Sequence, residues 1–312
     1  MKPSVCVIGS SNTDLTIKSK KLPAPSETVL GDEFFIAAGG KGANQAVAAR
    51  RAGAEVIFIA KIGDDSFGKN NIEKYNSEGI DTSHIIIDKD NHSGIALIMV
   101  DEEGENLIGV ASNSNFNFKP EEVDERRDII KEADIILLQN EIPPETNRRI
   151  IEIADEVKTP VILNPAPGPD KPYSEFILKR VDYLTPNKKE LELVSGYNIK
   201  TRSDIELIGK NIIQELGAQT LIVTLGVEGC MLIEKKQTIL IPAYKVKAID
   251  TVGAGDCFNG YLGAMLASDK DIQESIKISA ASAALSVQKR GAQPSLPKIG
   301  EVKKFLKNYQ SI

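Results

Sequence analysis

The chain has 312 residues, of which 41% are hydrophobic and 26% charged, a composition ordinary for a globular protein of one large or two smaller domains. Lysine and arginine number 38 against 44 aspartate and glutamate, and the net charge of −6 argues against nucleic-acid or membrane binding. No segment is apolar for long enough to span a bilayer, and the three cysteines and two histidines lack metal-ligand spacing. We therefore expect a cytoplasmic protein with reduced, buried thiols and no zinc site.

Short apolar strands alternate with amphipathic helices through most of the sequence. Strands are predicted at residues 5–8, 56–59, 135–138, 161–163, 183–184 and 221–223. Helices are predicted at residues 43–51, 67–78, 143–157, 203–216, 254–266, 272–287 and 299–308. Gly53, Gly79 and Gly217 stand where helix C-caps belong. Near-continuous apolar strands joined by helices predict an α/β fold with a mostly parallel sheet covered on both faces.

Two segments, residues 15–36 and 93–110, depart from this alternation. Both are typical of extended strands, and the second turns back at residues 102–104. Because each lies between βα units, we expect strands that project from a single domain, residues 1–312, and form a small sheet of their own. Two ordinary surface hairpins are the alternative.

Asn12 and Asp14 follow the first predicted strand, at the sheet edge where open α/β sheets bind ligands. Residues two apart in an extended chain point to the same side, which suits a pair that holds neighbouring hydroxyls. The preceding residues lack the GxGxxG pattern of a dinucleotide-binding turn, which argues against a dehydrogenase on a similar sheet.

The next candidate is the glycine-rich stretch from Gly39 to Asn44, which opens a predicted helix. Glycines let main-chain N–H groups face a ligand, and Asn44 offers both a donor and an acceptor to a hydroxyl. The stretch is not a P-loop, because GxxxxGK[ST] occurs nowhere in the chain. A tight turn without a ligand is the alternative.

Three further candidates follow strands at the same predicted edge. Glu141 comes soon after the strand at 135–138, and a cap for the following helix is an equal explanation. Asn187 and Glu190 have the spacing of a helix capping box, which alone would account for them. Residues 224–229 join two strands and could be a plain hairpin.

Asp256 closes the stretch DTVGAGD at residues 250–256, where a long helix begins. A helix N-terminus with small residues around it provides free N–H groups and a positive dipole end, which suit a phosphate. An aspartate at such a position is often only a cap or a charge that complements the dipole. A carboxylate beside an anion site has another explanation, a base that takes a proton from an attacking hydroxyl.

Taken together, these motifs resemble the ribokinase-like family of sugar kinases nearly from end to end. The resemblance is carried by residues 9–14, 39–45, 63–65, 164–167, 185–187, 224–226, 250–256 and 291–295. It implies a three-layer α/β/α fold with a mostly parallel central sheet, and a small β-sheet lid formed by residues 15–36 and 93–110. It also implies an ATP-dependent kinase and a homodimer formed through the lid.

The resemblance implies a role for each matching residue. Asp256 would take the proton from the 5-hydroxyl of the sugar, which would be held by Asn12, Asp14, Gly40, Lys41, Gly42, Asn44 and Glu141. The anion hole for the phosphoryl group would be formed by Gly253, Ala254 and Gly255. ATP would lie along Asn187, Thr224, Gly226, Gly229, Gly255 and Ala280. Mg²⁺ would be placed by Asn187 and Glu190 through water, and an activating K⁺ by Asp250, Val252, Ser286, Lys289, Gly291 and Ser295.

The resemblance leaves the acceptor open among related alcohols. Asn12 favours ribose, because relatives that prefer deoxyribose tend to carry an apolar residue at this position. A nucleoside would need a larger and more aromatic cavity, whereas the chain has no tryptophan and its lid aromatics are Phe34 and Phe35. Deoxyribose, fructose and nucleosides remain alternatives, as does a sugar-binding module without catalysis.

Overall fold

A computed structural model describes residues 2–309 of the chain. Met1 and residues 310–312, which belong to the predicted domain, lie outside the described residues. The strands are β1 Ser4–Ile8, β2 Asn12–Ser19, β3 Gly31–Gly39, β4 Glu55–Ile59, β5 Lys61–Gly63, β6 Ile86–Asp88, β7 Gly94–Val100, β8 Asn106–Ala111, β9 Ile135–Gln139, β10 Val161–Asn164, β11 Tyr183–Leu184, β12 Thr220–Thr224, β13 Cys230–Glu234 and β14 Gln237–Ile241. The α-helices are α1 Lys41–Arg51, α2 Ser66–Ser77, α3 Pro120–Asp124, α4 Arg127–Glu132, α5 Pro144–Val157, α6 Glu175–Leu178, α7 Lys188–Ser195, α8 Arg202–Gln214, α9 Ala254–Leu266, α10 Ile272–Ser286, α11 Ala292–Ser295 and α12 Ile299–Tyr309.

The central sheet has eight strands in the order β14-β13-β12-β11-β10-β9-β1-β4. The six strands from β12 to β4 run parallel, and β13 and β14 are antiparallel at one edge. Successive residues of β1 enter opposite layers: Val5 and Val7 belong to the buried cluster that includes α1, α9 and α10, whereas Cys6 and Ile8 belong to the cluster that includes α5 and α8. This alternation confirms the predicted three-layer α/β/α fold, because a sheet buried on both faces needs helices on both sides.

A separate four-stranded sheet, called the small sheet below, has the order β3-β2-β7-β8. It contains half of the first projecting segment and most of the second, and β2 begins at Asn12 and β3 continues to Gly39, three residues beyond each predicted limit. Between β2 and β3 the chain is irregular rather than extended, because Pro23 and Pro25 lack the N–H that a strand ladder requires. The predicted turn is present, with the Gly104 N–H donating to the Asp101 carbonyl at 3.2 Å.

The strands and helices predicted for the central α/β fold all occur within two residues of their expected limits. Gly53 and Gly79 follow the C-caps of α1 and α2 directly and have positive φ angles, and Gly217 lies two residues past the C-cap of α8. No sequence pattern predicted β5 and β6, because three residues are too few for a periodic pattern. All three cysteines are buried and free. Within residues 2–309, no helix has both the length and the apolar character that a bilayer crossing requires.

Candidate active site

The candidate site is built where α1 and α9 cross above the carboxyl ends of β1, β9 and β10. The two helices approach closely at Gly260, where a Cβ atom would lie 2.5 Å from the Gln45 carbonyl and 2.5 Å from the Ala48 Cβ. The facing side of α1 is made of small residues, and Gln45 is fully buried there. This close crossing brings two amide side chains of α1, Asn44 and Gln45, to the first turn of α9.

Asp256 lies in that first turn and is 6% exposed. Its carboxylate accepts a hydrogen bond from Asn44 Nδ2 at 2.9 Å and another from Gln45 Nε2 at 3.1 Å. It does not cap its own helix, whose N-cap is Gly253. Burial raises the pKa of Asp256, although the Lys41 charge and the two amide donors act in the opposite direction. A carboxylate offers about four lone-pair sites, so the two amides leave acceptor capacity for a substrate hydroxyl.

Lys41, the first residue of α1, contributes the positive charge of the site. The negative charge of Asp256 raises the pKa of Lys41 more than burial lowers it, and Glu141 and Glu190 add to the increase. Lys41 is therefore an ammonium within electrostatic reach of three carboxylates on three different elements. Such a cation can neutralise the negative charge that develops during phosphoryl transfer.

Asp14 is a half-buried carboxylate on β2 that accepts no hydrogen bond from the described residues. Burial raises its pKa to about 6, and the charges of Glu141 and Asp256 add to the effect. Its carboxylate lies directly against Gly39, where a Cβ atom would be only 2.3 Å from either oxygen. Any larger residue at position 39 would displace it, so this glycine is required by the close approach of Asp14.

Asn12 lies two residues before Asp14 on β2 and is 4% exposed. Its Oδ1 accepts from Asn115 Nδ2 at 2.8 Å, and Asn115 is itself fixed by the backbone N–H and carbonyl of Ser11. The Asn12 amide N–H groups make no hydrogen bond to the described residues. Because the oxygen is held, the amide is oriented with its donors available to a ligand.

Glu141 caps a helix, but not the helix predicted for it. Its Oε2 accepts the backbone N–H of Lys41 at 2.9 Å and the Ser10 hydroxyl, so it caps α1 rather than the following helix. That following helix, α5, begins with Pro144, which has no N–H to donate. Glu141 therefore fixes the start of α1 over the sheet edge, and its contact with a sugar remains a prediction.

Some of the predicted ATP-binding residues lie beyond β10, at or just after the carboxyl ends of β11 and β12. A cleft of about 650 Å³ is lined by Asn187, Thr224 and Gly226 together with Lys188, Lys189, Lys200, Thr201, Arg202, Ile205, Leu225 and Glu228. Thr224 donates its N–H to the Pro186 carbonyl at 2.9 Å, which joins the Asn187 loop to the end of β12. Gly229, Gly255 and Ala280 do not line this cleft. The structure therefore gathers some of the predicted ATP residues but leaves others apart.

Asn187 and Glu190 form the capping box of α7. Asn187 Oδ1 accepts the Glu190 N–H at 2.9 Å, and Glu190 Oε2 accepts the Asn187 N–H at 2.8 Å. Burial raises the pKa of Glu190, and the Asp256 charge contributes to the increase. Among residues 2–309, no group of three or more His, Cys, Asp and Glu side chains is arranged to hold a metal ion. Hard oxygen donors of this kind do fit a Mg²⁺ that is held mainly by substrate phosphates and water.

Segments of the predicted K⁺ site converge on Asp250. Its carboxylate accepts the Val252 N–H at 3.0 Å and the Gly291 N–H at 2.8 Å, and its own N–H donates to the Val287 carbonyl at 3.1 Å. The Ser286 carbonyl accepts the Lys289 N–H at 3.0 Å, and Ser295 closes the short helix α11. Asp250 is the one carboxylate among these residues, and hard oxygen ligands of low total charge would suit a monovalent cation. The K⁺ ligands themselves remain a prediction.

The sequence analysis assigned no role to three residues of the site. Gln45 and Asn164 lie inside motifs that carry the family resemblance, but nothing about their residue types indicated what they do. Asn115 lies in a 3₁₀ helix, residues 113–117, outside every motif. Its contact with Asn12 spans more than a hundred residues and could be found only from coordinates.

Known proteins resemble this chain over nearly its whole length. Residues 2–299 match the description "pfkB family carbohydrate kinase". A ribokinase of Haemophilus influenzae is 37% identical over 308 residues, covering 99% of this chain and 100% of that protein. A deoxyribokinase of Salmonella typhimurium is 33% identical over 302 residues, covering 97% of this chain and 98% of that protein. The structure of Arabidopsis thaliana ribokinase with ribose and ATP superposes with a TM-score of 0.91 at 30% identity, covering 98% of this chain and 99% of that one.

Proposed function

Since the chain belongs to the pfkB family of carbohydrate kinases, we propose that it transfers the γ-phosphoryl group of ATP to the 5-hydroxyl of D-ribose, with Asp256 as the base. The products are ribose 5-phosphate and ADP. The observation that carries the proposal is the buried Asp256 carboxylate, held by two amides of α1 and paired electrostatically with Lys41. This arrangement suits a base that must face an alcohol and a phosphate at once.

In the chemical step, Asp256 removes the proton from the 5-hydroxyl of the sugar while the 5-oxygen forms a bond to the γ-phosphorus. The bond from that phosphorus to the β,γ-bridging oxygen breaks, and ADP leaves with the electron pair. A raised pKa makes the carboxylate a better proton acceptor, since base strength rises with pKa. The Lys41 ammonium and the free N–H groups of Gly253 and Gly255 stabilise the charge of the transferring group. The Ala254 N–H donates to the Thr251 carbonyl at 3.2 Å in the structure, so it would have to exchange this partner to join them.

On the sugar side, the polar groups that lack a hydrogen-bond partner in the described residues bind hydroxyls of the sugar. Asp14 accepts from hydroxyls, because no described residue donates to it. Asn12 donates through its free amide group, and Asn44 Oδ1, which is buried without a partner, accepts from a hydroxyl. A polar Asn12 fits a sugar with a 2-hydroxyl better than one without it. Buried polar groups left unpaired cost about 1–3 kcal/mol each, so a complete set of partners selects the sugar.

On the nucleotide side, the cleft beside Asn187 and Thr224 has a volume typical of small-molecule sites. ATP lies along Asn187, Thr224, Gly226, Gly229, Gly255 and Ala280 in this proposal. Mg²⁺, when bound with ATP, neutralises the phosphates, and Asn187 and Glu190 are the residues that would hold its water ligands. K⁺ would fix the loop that starts α9, through Asp250, Val252, Ser286, Lys289, Gly291 and Ser295.

The proposal includes a homodimer formed through the small sheet, which acts as the lid over the sugar. Large apolar side chains on one face of this sheet are exposed by 39% to 60%; they are Ile17, Phe34, Ile36, Leu97 and Leu107. Monomeric proteins rarely leave such a continuous patch in water. A second copy covering this face would leave the opposite face, which carries Asn12 and Asp14, over the site. A cytoplasmic location completes the proposal and is consistent with three buried free cysteines.

A coupled assay of ADP release tests the acceptor with D-ribose, 2-deoxyribose, fructose and a nucleoside at equal concentrations. The proposal expects ribose to have the highest kcat/KM. Because the sugar site is built from hydrogen bonds, loss of the 2-hydroxyl should lower kcat/KM by at least about tenfold. A higher kcat/KM for deoxyribose, fructose or the nucleoside would overturn the choice of ribose. No turnover with any alcohol would overturn the proposed activity.

A further inference from the structure

We propose that Gln45 is a positioning residue for the phosphoryl transfer, which orients the Asp256 carboxylate through a closed hydrogen-bond network. The inference rests on the proposed function, because it concerns the base of that reaction. The network occupies the carboxyl ends of β9, β10 and β11 and the first two turns of α1 and α9. Its side chains, Gln45, Gln139, Asn164, Thr185 and Asn259, are each at most 6% exposed.

The orientation of the Gln45 amide is determined by its three partners. Its Oε1 accepts from Gln139 Nε2 at 2.7 Å, while its Nε2 donates to Asp256 Oδ1 at 3.1 Å and to Asn164 Oδ1 at 3.2 Å. A flipped amide would place its oxygen against two other oxygens, so only one orientation is compatible with all three neighbours. Gln45 therefore presents a fixed N–H to one oxygen of Asp256, and Asn44 presents another to the second oxygen.

The network continues from Gln45 to the backbone that precedes Asp256. Asn164 Nδ2 donates to the Thr185 carbonyl at 3.0 Å, and the Thr185 hydroxyl donates to Asn259 Oδ1 at 2.6 Å. Asn259 Nδ2 then donates to the Gly255 carbonyl at 2.9 Å. The side chain of Asp256 and the main chain at Gly255 are thus tied to the same framework, so the base and the start of α9 keep one relative position.

This arrangement matters because Asp256 is surrounded by charges that pull it in different directions. Lys41 attracts its carboxylate, whereas Glu141, Asp14 and Glu190 repel it. Without the Gln45 donor, only Asn44 would hold the carboxylate against rotation toward Lys41. Proton abstraction requires the base within about 2.6–3.2 Å of the hydroxyl, and a misplacement of about 1 Å can cost about 100-fold in rate.

The test is the Gln45→Met variant, which keeps the length of the side chain and removes its amide. We expect kcat to fall by about 10- to 100-fold, with KM for ribose and for ATP within about threefold of wild type. Gln45→Glu keeps an acceptor for Gln139 but brings a carboxylate against Asp256, and it should lose at least as much turnover. Thr159→Val is the matched control, because it removes another buried hydrogen bond, to the Ile130 carbonyl, far from the site. It should keep normal kcat.

A double variant separates positioning from general packing. In an Asp256→Asn background, Gln45→Met should cause no further loss of turnover, because Gln45 acts through the carboxylate that is already gone. An equal loss in both backgrounds, or a loss confined to KM, would overturn the inference. So would normal kcat in both single variants at Gln45. If Asp256→Asn itself kept near-normal turnover, the base assignment would fail instead, and the two failures are therefore distinguishable.

Discussion

Replacement of Asp14 by asparagine should stabilise the protein while it weakens sugar binding. Burial and the neighbouring charges of Glu141 and Asp256 raise the pKa of Asp14 from 3.8 to about 6. A folded-state pKa above the unfolded value means that the ionised carboxylate destabilises the fold. The stability that this group contributes below pH 4 is lost as the pH rises through about 6. Asparagine removes this cost and keeps nearly the same shape.

The size of the effect follows from the shift. A pKa difference of about two units lowers the free energy of unfolding of the parent by about 3 kcal/mol at pH 8, but by only about 1 kcal/mol at pH 4.5. With an unfolding entropy of about 2.1 cal/mol/K per residue, the melting temperature should rise by about 4–5 °C at pH 8 and by about 1.5 °C at pH 4.5. The ribose KM should increase by about 10- to 100-fold, because each hydrogen bond to a charged group contributes about 1.5–3 kcal/mol.

Thermal unfolding of the ligand-free protein at both pH values, followed by a ribose titration, measures both effects. Asp32→Asn is the matched control, since Asp32 is an exposed aspartate of the neighbouring strand β3. As a surface substitution it should change the stability by no more than about 0.5 kcal/mol and leave the ribose KM near that of the parent. A melting temperature at pH 8 that is unchanged or lower would refute the reasoning. So would a gain of equal size at both pH values, because it could not come from the titration of Asp14.

Two further predictions concern the cation site and the lid. Replacement of K⁺ by Li⁺ or choline should depress turnover at saturating ATP by at least about tenfold while the melting temperature changes little; equal rates in all three salts would contradict the assignment around Asp250. Leu97→Glu should convert a dimer to a monomer in sedimentation velocity, because it places a charge in the exposed apolar face of the small sheet. Leu207→Glu, on the exposed face of α8, is the control that should leave the assembly unchanged; the same mass for both variants and the parent would count against a lid dimer.

The central fold could be predicted because its signals are local. Strands such as β9 and β12 are short runs of apolar residues bounded by polar ones, and a parallel sheet buried on both faces requires that pattern. The limits of the small sheet were less accurate. Asn12 and Asp14 lie outside the predicted strand segment, which starts at residue 15, yet β2 includes them.

Partners distant in the sequence could not be predicted from the residues alone. A cap of the following helix was one of two equal explanations for Glu141, whereas its long side chain reaches α1, one hundred residues earlier in the chain. Asn115 orients Asn12 from a segment with no motif. The role of Gln45 likewise depends on how closely α1 approaches α9. This close approach is possible because Gly260 has no side chain. Such contacts follow from packing geometry, and no local pattern encodes them.

The central claim is that the Asp256 carboxylate is the base, and one substitution tests it most directly. Asp256→Asn keeps the size of the side chain and the start of α9, so the protein should still fold and should bind ATP with an affinity near that of the parent. Turnover with ribose at saturating ATP should fall by at least about 100-fold, because an amide cannot accept the proton. A folded Asp256→Asn protein that phosphorylates ribose at near the parent rate would contradict the account.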